Sequence, residues 1–173
     1  SGLGNVGVNL DAFNAADAAS ASGMLRRCCS CSRWIEQLVR ARPFRTPQEL
    51  QDAANEVWAT LDESDYLEAF AAHPQIGDMD SLREKYSDTH TLAAGEQSGA
   101  AAADEDTLQR LARGNAEYLA RFGFIFIVCA SGKSAAEMLG LLEARLHNTR
   151  EEEIANAAEE QRKIFQIRME NLT

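Results

Sequence analysis

The sequence predicts an all-α fold, and three observations carry that expectation. Three stretches have the capping-box spacing that starts a helix: Thr46-Pro47-Gln48-Glu49, Ser134-Ala135-Ala136-Glu137 and Thr149-Arg150-Glu151-Glu152. In such a box the hydroxyl and the carboxylate satisfy N–H groups that the first turn leaves open. Apolar residues recur at helical spacing through most of the chain. The one stretch with clear strand propensity, FIFIVCAS from Phe124 to Ser131, has no partner strand elsewhere.

The elements follow in order. Residues 1–10 read as a flexible N-terminal segment, and 11–173 as a single helical domain of six to eight helices. A short helix starts near Asp11. The next cover Ser22–Arg40, Pro47–Leu61 and Ser64–Ala72, with Pro47 at a first helical position where its missing N–H costs nothing. Residues 74–94 read as loop. A long helix runs from about Gly95 to Phe122, with Ala103 a candidate break, and Ser134–His147 and Arg150–Leu172 close the chain. Gly123 stops one helix and Gly132 precedes the next. Between them we expect a buried extended segment near 124–131, whose N–H and C=O groups must find partners that helices cannot supply.

Composition narrows the function classes. A chain of 173 residues can bury a real core. A formal net charge of −10 argues against nucleic acid as the main partner, because phosphate contacts need a basic surface. No apolar run approaches the roughly 20 residues of a membrane span. The start lacks the basic-then-apolar pattern of a signal peptide, and the final ENLT is no peroxisomal address. Cys28, Cys29 and Cys31 crowd together and Cys129 stands apart, which is no disulfide framework. Cys28 and Cys31 form a C-x-x-C without a second pair to complete a metal site, so they read as reduced core thiols of a cytoplasmic protein, and no metal is expected.

Four features fall outside this pattern. On a helical wheel Arg168 lies within the face of Ile154, Ala158, Phe165, Met169 and Leu172. An inward Arg is costly unless paired, so it is a snorkelling residue, half of a buried ion pair, or a ligand for a carboxylate or planar amide edge. Asn115, among Leu108, Leu111, Tyr118, Leu119 and Phe122, reads as a core amide, and Gln161 is similar. His73 ends the helical stretch SDYLEAFAAH just before Pro74, either as a C-terminal cap or as a group held at a pocket mouth. Glu96 and Gln97 sit between two glycines in AAGEQSGA, where small residues admit a close neighbour.

Together AFAAHPQIGD, GEQSGA, ARFGFIFIVCASGKS, LLEARLHNTREEE and KIFQIRMENL resemble the 2-oxo-4-hydroxy-4-carboxy-5-ureidoimidazoline (OHCU) decarboxylase family, over roughly Leu10 to Leu172. The stretch SGMLRRCCSCSRWIEQLVRARPF is similar to that family's first long helix. The resemblance implies an all-helical enzyme that needs no cofactor, commonly forms a homodimer, and decarboxylates OHCU to (S)-allantoin in urate degradation. It also implies that His73, Glu96 and Arg168 are the active-site residues. Pro74, Gln97 and the backbone of Phe126, Ile127 and Val128 would line the substrate site. The alternative is a helical ureide-binding module without turnover.

Overall fold

The computed structural model describes residues 2–75, 77–86 and 97–172, and side chains within them except those of 2–8 and 97–104. Among the described residues there are nine α-helices and no strand. They are α1 Gly2–Ala15, α2 Ala18–Arg26, α3 Ser32–Arg40, α4 Pro47–Ala59, α5 Glu63–Ala71, α6 Met79–Tyr86, α7 Gln97–Phe122, α8 Ala135–Arg145 and α9 Arg150–Met169. The chain falls into two compact units. One comprises residues 1–72 and 156–173, the other residues 73–155.

All three expected caps form. Thr46 Oγ1 accepts from Glu49 N at 3.0 Å, Ser134 and Glu137 form the reciprocal box, and Thr149 and Glu152 exchange two bonds of 3.1 Å. A further reciprocal box, Asp62 with Asp65, starts α5.

Four boundaries differ from expectation. Residues 1–10 read as a loop, yet α1 already begins at Gly2. The expected helix over Ser22–Arg40 is two helices. Arg27 closes α2, Cys28 N and Cys29 N both donate to Leu25 O, and Cys31 is extended (φ −124°, ψ 114°) as the N-cap of α3. The run RCCSCS is poor in helix formers, while the burial of Cys28 and Cys31 continues the apolar period across the break. Within the expected loop, Asp78 caps α6 by accepting from Ser81 N and Oγ, both at 2.8 Å, and α6 buries Leu82 and Tyr86. Finally, α7 is continuous through Ala103.

The first unit has an aromatic core. Phe165 of α9 lies against Trp34 of α3 and Trp58 of α4, with ring centroids 4.9 and 5.7 Å apart. Each indole N–H has an acceptor, Ala54 O at 3.1 Å for Trp34 and Ala158 O at 2.9 Å for Trp58. Buried indoles thus add area without stranding a donor.

In the second unit, α7 and α8 pack closely. A Cβ on Gly114 would lie 2.6 Å from Leu142 Cδ2, so a larger residue here would require the buried Leu142 side chain to move. Gly123 (φ +83°) ends α7, and Gly132 (φ +74°) makes the turn in which Lys133 N donates to Ala130 O. Between these turns residues 125–130 take no regular structure. Phe124, Ile127 and Cys129 are buried, while Phe126, Val128 and Ala130 are partly exposed. From 126 to 130 burial alternates residue by residue, as an extended chain requires.

Candidate active site

His73 follows Ala72, the C-cap of α5, and opens the second unit. It is partly buried, whereas Pro74 is exposed. Among the described residues, no atom lies within 4 Å of where a Cβ on Gly77 would stand. Glu96 and His90 lie outside the described residues, as does the side chain of Gln97, which begins α7.

Arg168 belongs to the first unit, in the last turn of α9. The wheel puts it inside the apolar arc, and the structure corrects that reading. Its neighbours Phe165, Met169 and Leu172 are buried, but Arg168 itself is exposed. A long side chain can start at the edge of a buried stripe and still carry its charge to water. One guanidinium nitrogen, Nη1, donates to Cys28 O at 3.4 Å. The polar residues that α9 does bury are Glu153, fully, and Gln161.

Phe126, Ile127 and Val128 adjoin a cluster that sequence reasoning missed. Glu153 has no exposed surface and accepts from three side chains. These are Tyr118 OH, Arg145 Nε at 2.7 Å and Asn148 Nδ2 at 2.8 Å. Arg145 then reaches the extended segment. Its Nη1 donates to Ile127 O at 2.7 Å, and its guanidinium carbon lies 4.5 Å from the centre of the Phe126 ring. Lys133 Nζ donates to Cys129 O at 2.8 Å. Burial and the Glu153 hydrogen bond both push the Tyr118 phenol well above its ordinary range. Tyr118 therefore stays neutral and donates.

The thiols show no sign of activation. Cys28, Cys29, Cys31 and Cys129 are buried, and none of them is in a disulfide. Burial raises Cys28 to about 11 and pushes Cys29 and Cys31 up as well. A reactive cysteine needs the opposite shift. Among the described residues, Cys31, Asp65 and Glu68 bring ligand-type atoms within 4.8 Å of one another. Their carboxylates are already engaged. Glu68 accepts from Ser32 N and Oγ, and Asp65 accepts from Asp62 N and faces Arg33 at 3.4 Å. We assign no metal there.

The described residues thus gather Phe126, Ile127 and Val128 with Arg145 in one unit. His73 and Pro74 open that same unit, and Arg168 belongs to the other. Comparison with known proteins gives these placements their context. The OHCU decarboxylase family profile matches residues 14–170. The chain belongs to the OHCU decarboxylase family. It is 42% identical over 147 residues to a uric acid degradation bifunctional protein of Arabidopsis thaliana, covering 84% of this chain and 45% of that one. It therefore spans less than half the length of that relative. It is 30% identical over 131 residues to the 2-oxo-4-hydroxy-4-carboxy-5-ureidoimidazoline decarboxylase of Amia calva, covering 76% and 74% of the two chains. Among solved structures it resembles an OHCU decarboxylase crystallised in the presence of (S)-allantoin. That match has a TM-score of 0.66 and 39% identity, over 83% of this chain and 92% of that one. A second solved structure, an (S)-allantoin synthase at 22% identity and TM-score 0.66, shares the fold. Among the described residues no helix is long and apolar enough to cross a membrane.

Proposed function

We propose that this chain decarboxylates OHCU to (S)-allantoin in urate degradation, without a cofactor. The observation that carries the reading is family membership over residues 14–170, with 39% identity to an OHCU decarboxylase crystallised in the presence of that product. Residues 11–173 would act as one catalytic domain in a cytoplasmic homodimer. The dimer would show in light scattering as twice the 19.0 kDa chain mass.

OHCU is a small, flat, anionic ring with several amide-like edges. Breaking its C–CO₂ bond leaves the electron pair on ring carbon, and the adjacent ring C=N can accept it. The substrate therefore carries its own electron sink, the task that pyridoxal or thiamine performs elsewhere. The protein has three tasks: to orient the carboxylate, to stabilise the developing charge, and to bring one proton to one face of the ring.

In this scheme Arg168 holds a carbonyl edge of the ring or ureido group and stabilises the negative charge as it grows. Its planar fork suits such an edge, and the bond from Nη1 to Cys28 O favours one orientation of that fork. Glu96 orients or deprotonates the hydroxyl on the ring and holds His73. His73 assists C–C cleavage and relays the proton, a role for which an imidazole is suited near neutral pH. Pro74 ends the helix so that His73 leaves its axis. Gln97 with the backbone of Phe126 and Val128 reads the ring's donors and acceptors, while Ile127, whose C=O is held by Arg145, lines the site between them.

The test is circular dichroism at an allantoin-sensitive wavelength, with OHCU generated in situ from urate by the two preceding enzymes. Rapid appearance of the (S)-allantoin signal is expected. Slow formation of racemic product at the uncatalysed rate would contradict the proposal. Glu96→Gln with near-normal turnover would remove Glu96 from acid–base work.

A further inference from the structure

The extended segment at 125–130 is fixed from one edge by two cations. Arg145 Nη1 holds Ile127 O at 2.7 Å and Lys133 Nζ holds Cys129 O at 2.8 Å. The two carbonyls are two residues apart, and in extended chain alternate residues present their backbone groups to the same edge. The residues beside and between them, Phe126 and Val128, present theirs to the opposite edge. Among the described residues no group donates to or accepts from the backbone of Phe126 or Val128.

We propose that Arg145 and Lys133 are positioning residues for substrate: they pin the Ile127 and Cys129 carbonyls so that Phe126 and Val128 offer a rigid N–H and C=O edge to the amide-like rim of the ring. The ligand class is a flat heterocycle with alternating N–H and C=O groups. The inference rests on the proposed OHCU reaction and adds to it the device that shapes one wall of the site.

Arg145 is held for this task. Its Nε is engaged by buried Glu153, which Tyr118 and Asn148 hold in turn, and its guanidinium lies over the Phe126 ring. A planar fork can serve Glu153 and Ile127 O from separate nitrogens, whereas a lysine ammonium is a single point charge. The tight turn at Gly132 (φ +74°) brings Lys133 back toward Cys129.

Arg145→Lys keeps a charge for Glu153 but loses the fork. Lys133→Met keeps length and loses the donor, on a partly exposed residue beside a turn. An edge that binds ring and transition state alike should change KM more than kcat, so KM is expected to rise about tenfold in Arg145→Lys with kcat within about twofold. Lys133→Met should shift KM in the same direction by less. Amide hydrogen exchange across 124–131, followed in both variants, should quicken without any need for turnover. Lys133→Met keeps the test alive if Arg145→Lys does not fold. Unchanged KM in folded variants of an active wild type would overturn the inference while leaving the proposed reaction intact. Unchanged exchange across 124–131 would overturn it whether or not the wild type is active. A wild type that does not consume OHCU would overturn the proposed reaction, and with it the substrate role of this edge.

Discussion

Two buried regions solve the same problem in different ways. Around Phe165 of the first unit, Trp34 and Trp58 bury large apolar area, and each indole N–H finds a nearby helical carbonyl. Around Glu153 of the second unit a full charge is buried, and Tyr118, Arg145 and Asn148 are spent on satisfying it. Burying a paired charge is seldom the cheapest route to stability, because desolvation offsets much of the attraction. The aromatic cluster is therefore read as a device for stability. The charged cluster is read as a device for geometry, since its arginine ends on the carbonyl of a non-helical segment.

The largest expected effects separate the two. Phe165→Ala should cost about 3–5 kcal/mol in denaturant unfolding. The fraction that stays folded at low temperature should keep the wild-type KM for OHCU. Glu153→Ala should cost a similar amount, about 3–5 kcal/mol, because it strips the partly buried Arg145 charge of its carboxylate and leaves a space beside it. Here the surviving folded protein should also show a raised KM. Equal KM effects from the two variants would erase the distinction between the regions.

The next effect is on pH dependence and involves both regions. Burial raises the folded-state values of Cys28 (to about 11), Cys29, Cys31 and Tyr118. An unfolded thiol gives up its proton near 9.0 while folded Cys28 keeps it to about 11. The unfolded chain therefore binds fewer protons in that window, and stability falls as pH rises. Urea unfolding should show a flat midpoint from neutral pH up to about 9, the ordinary thiol value, and a steady decline from there to about 11. Cys28→Ala should make that decline shallower, while Tyr118 continues it at higher pH.

Smaller effects belong to the surface. Ser134→Ala removes the cap of α8 and should cost about 1 kcal/mol, measured as a shift in the urea midpoint. Arg83 bridges Glu105 and Asp80 in the open, and Arg83→Ala should leave the midpoint unchanged within error.

How much of this was legible in the sequence depended on range. Caps are local chemistry, so Thr46, Ser134 and Thr149 announce their helices, and Gly123 and Gly132 mark turns that need positive φ. The break between α2 and α3 was hidden because buried cysteines continue the apolar period through it. Helix α6 was hidden among Pro74, Gly77 and Asp78, which read as loop punctuation, although the Asp78–Ser81 cap and the Leu82–Tyr86 spacing were a usable signal. Arg168 drew attention from the wheel, which gives the direction of a Cβ but not the reach of an arginine. The Glu153 cluster was invisible for a related reason. It sits in a run of three glutamates that looks like a charged first turn, and Tyr118, Arg145 and Asn148 come from three other places in the chain. Its one sequence trace is register: Glu153 precedes buried Ala157 and Gln161 at steps of four along α9.

The proposed decarboxylation depends most heavily on His73, the histidine that follows α5. The direct test compares wild type and His73→Ala by circular dichroism with freshly generated OHCU, at equal folded concentration. Rapid (S)-allantoin formation by wild type is expected, with a rate lower by about a hundredfold or more in the variant. Equal rates from the two proteins would make His73 a helix cap and remove it from the chemistry.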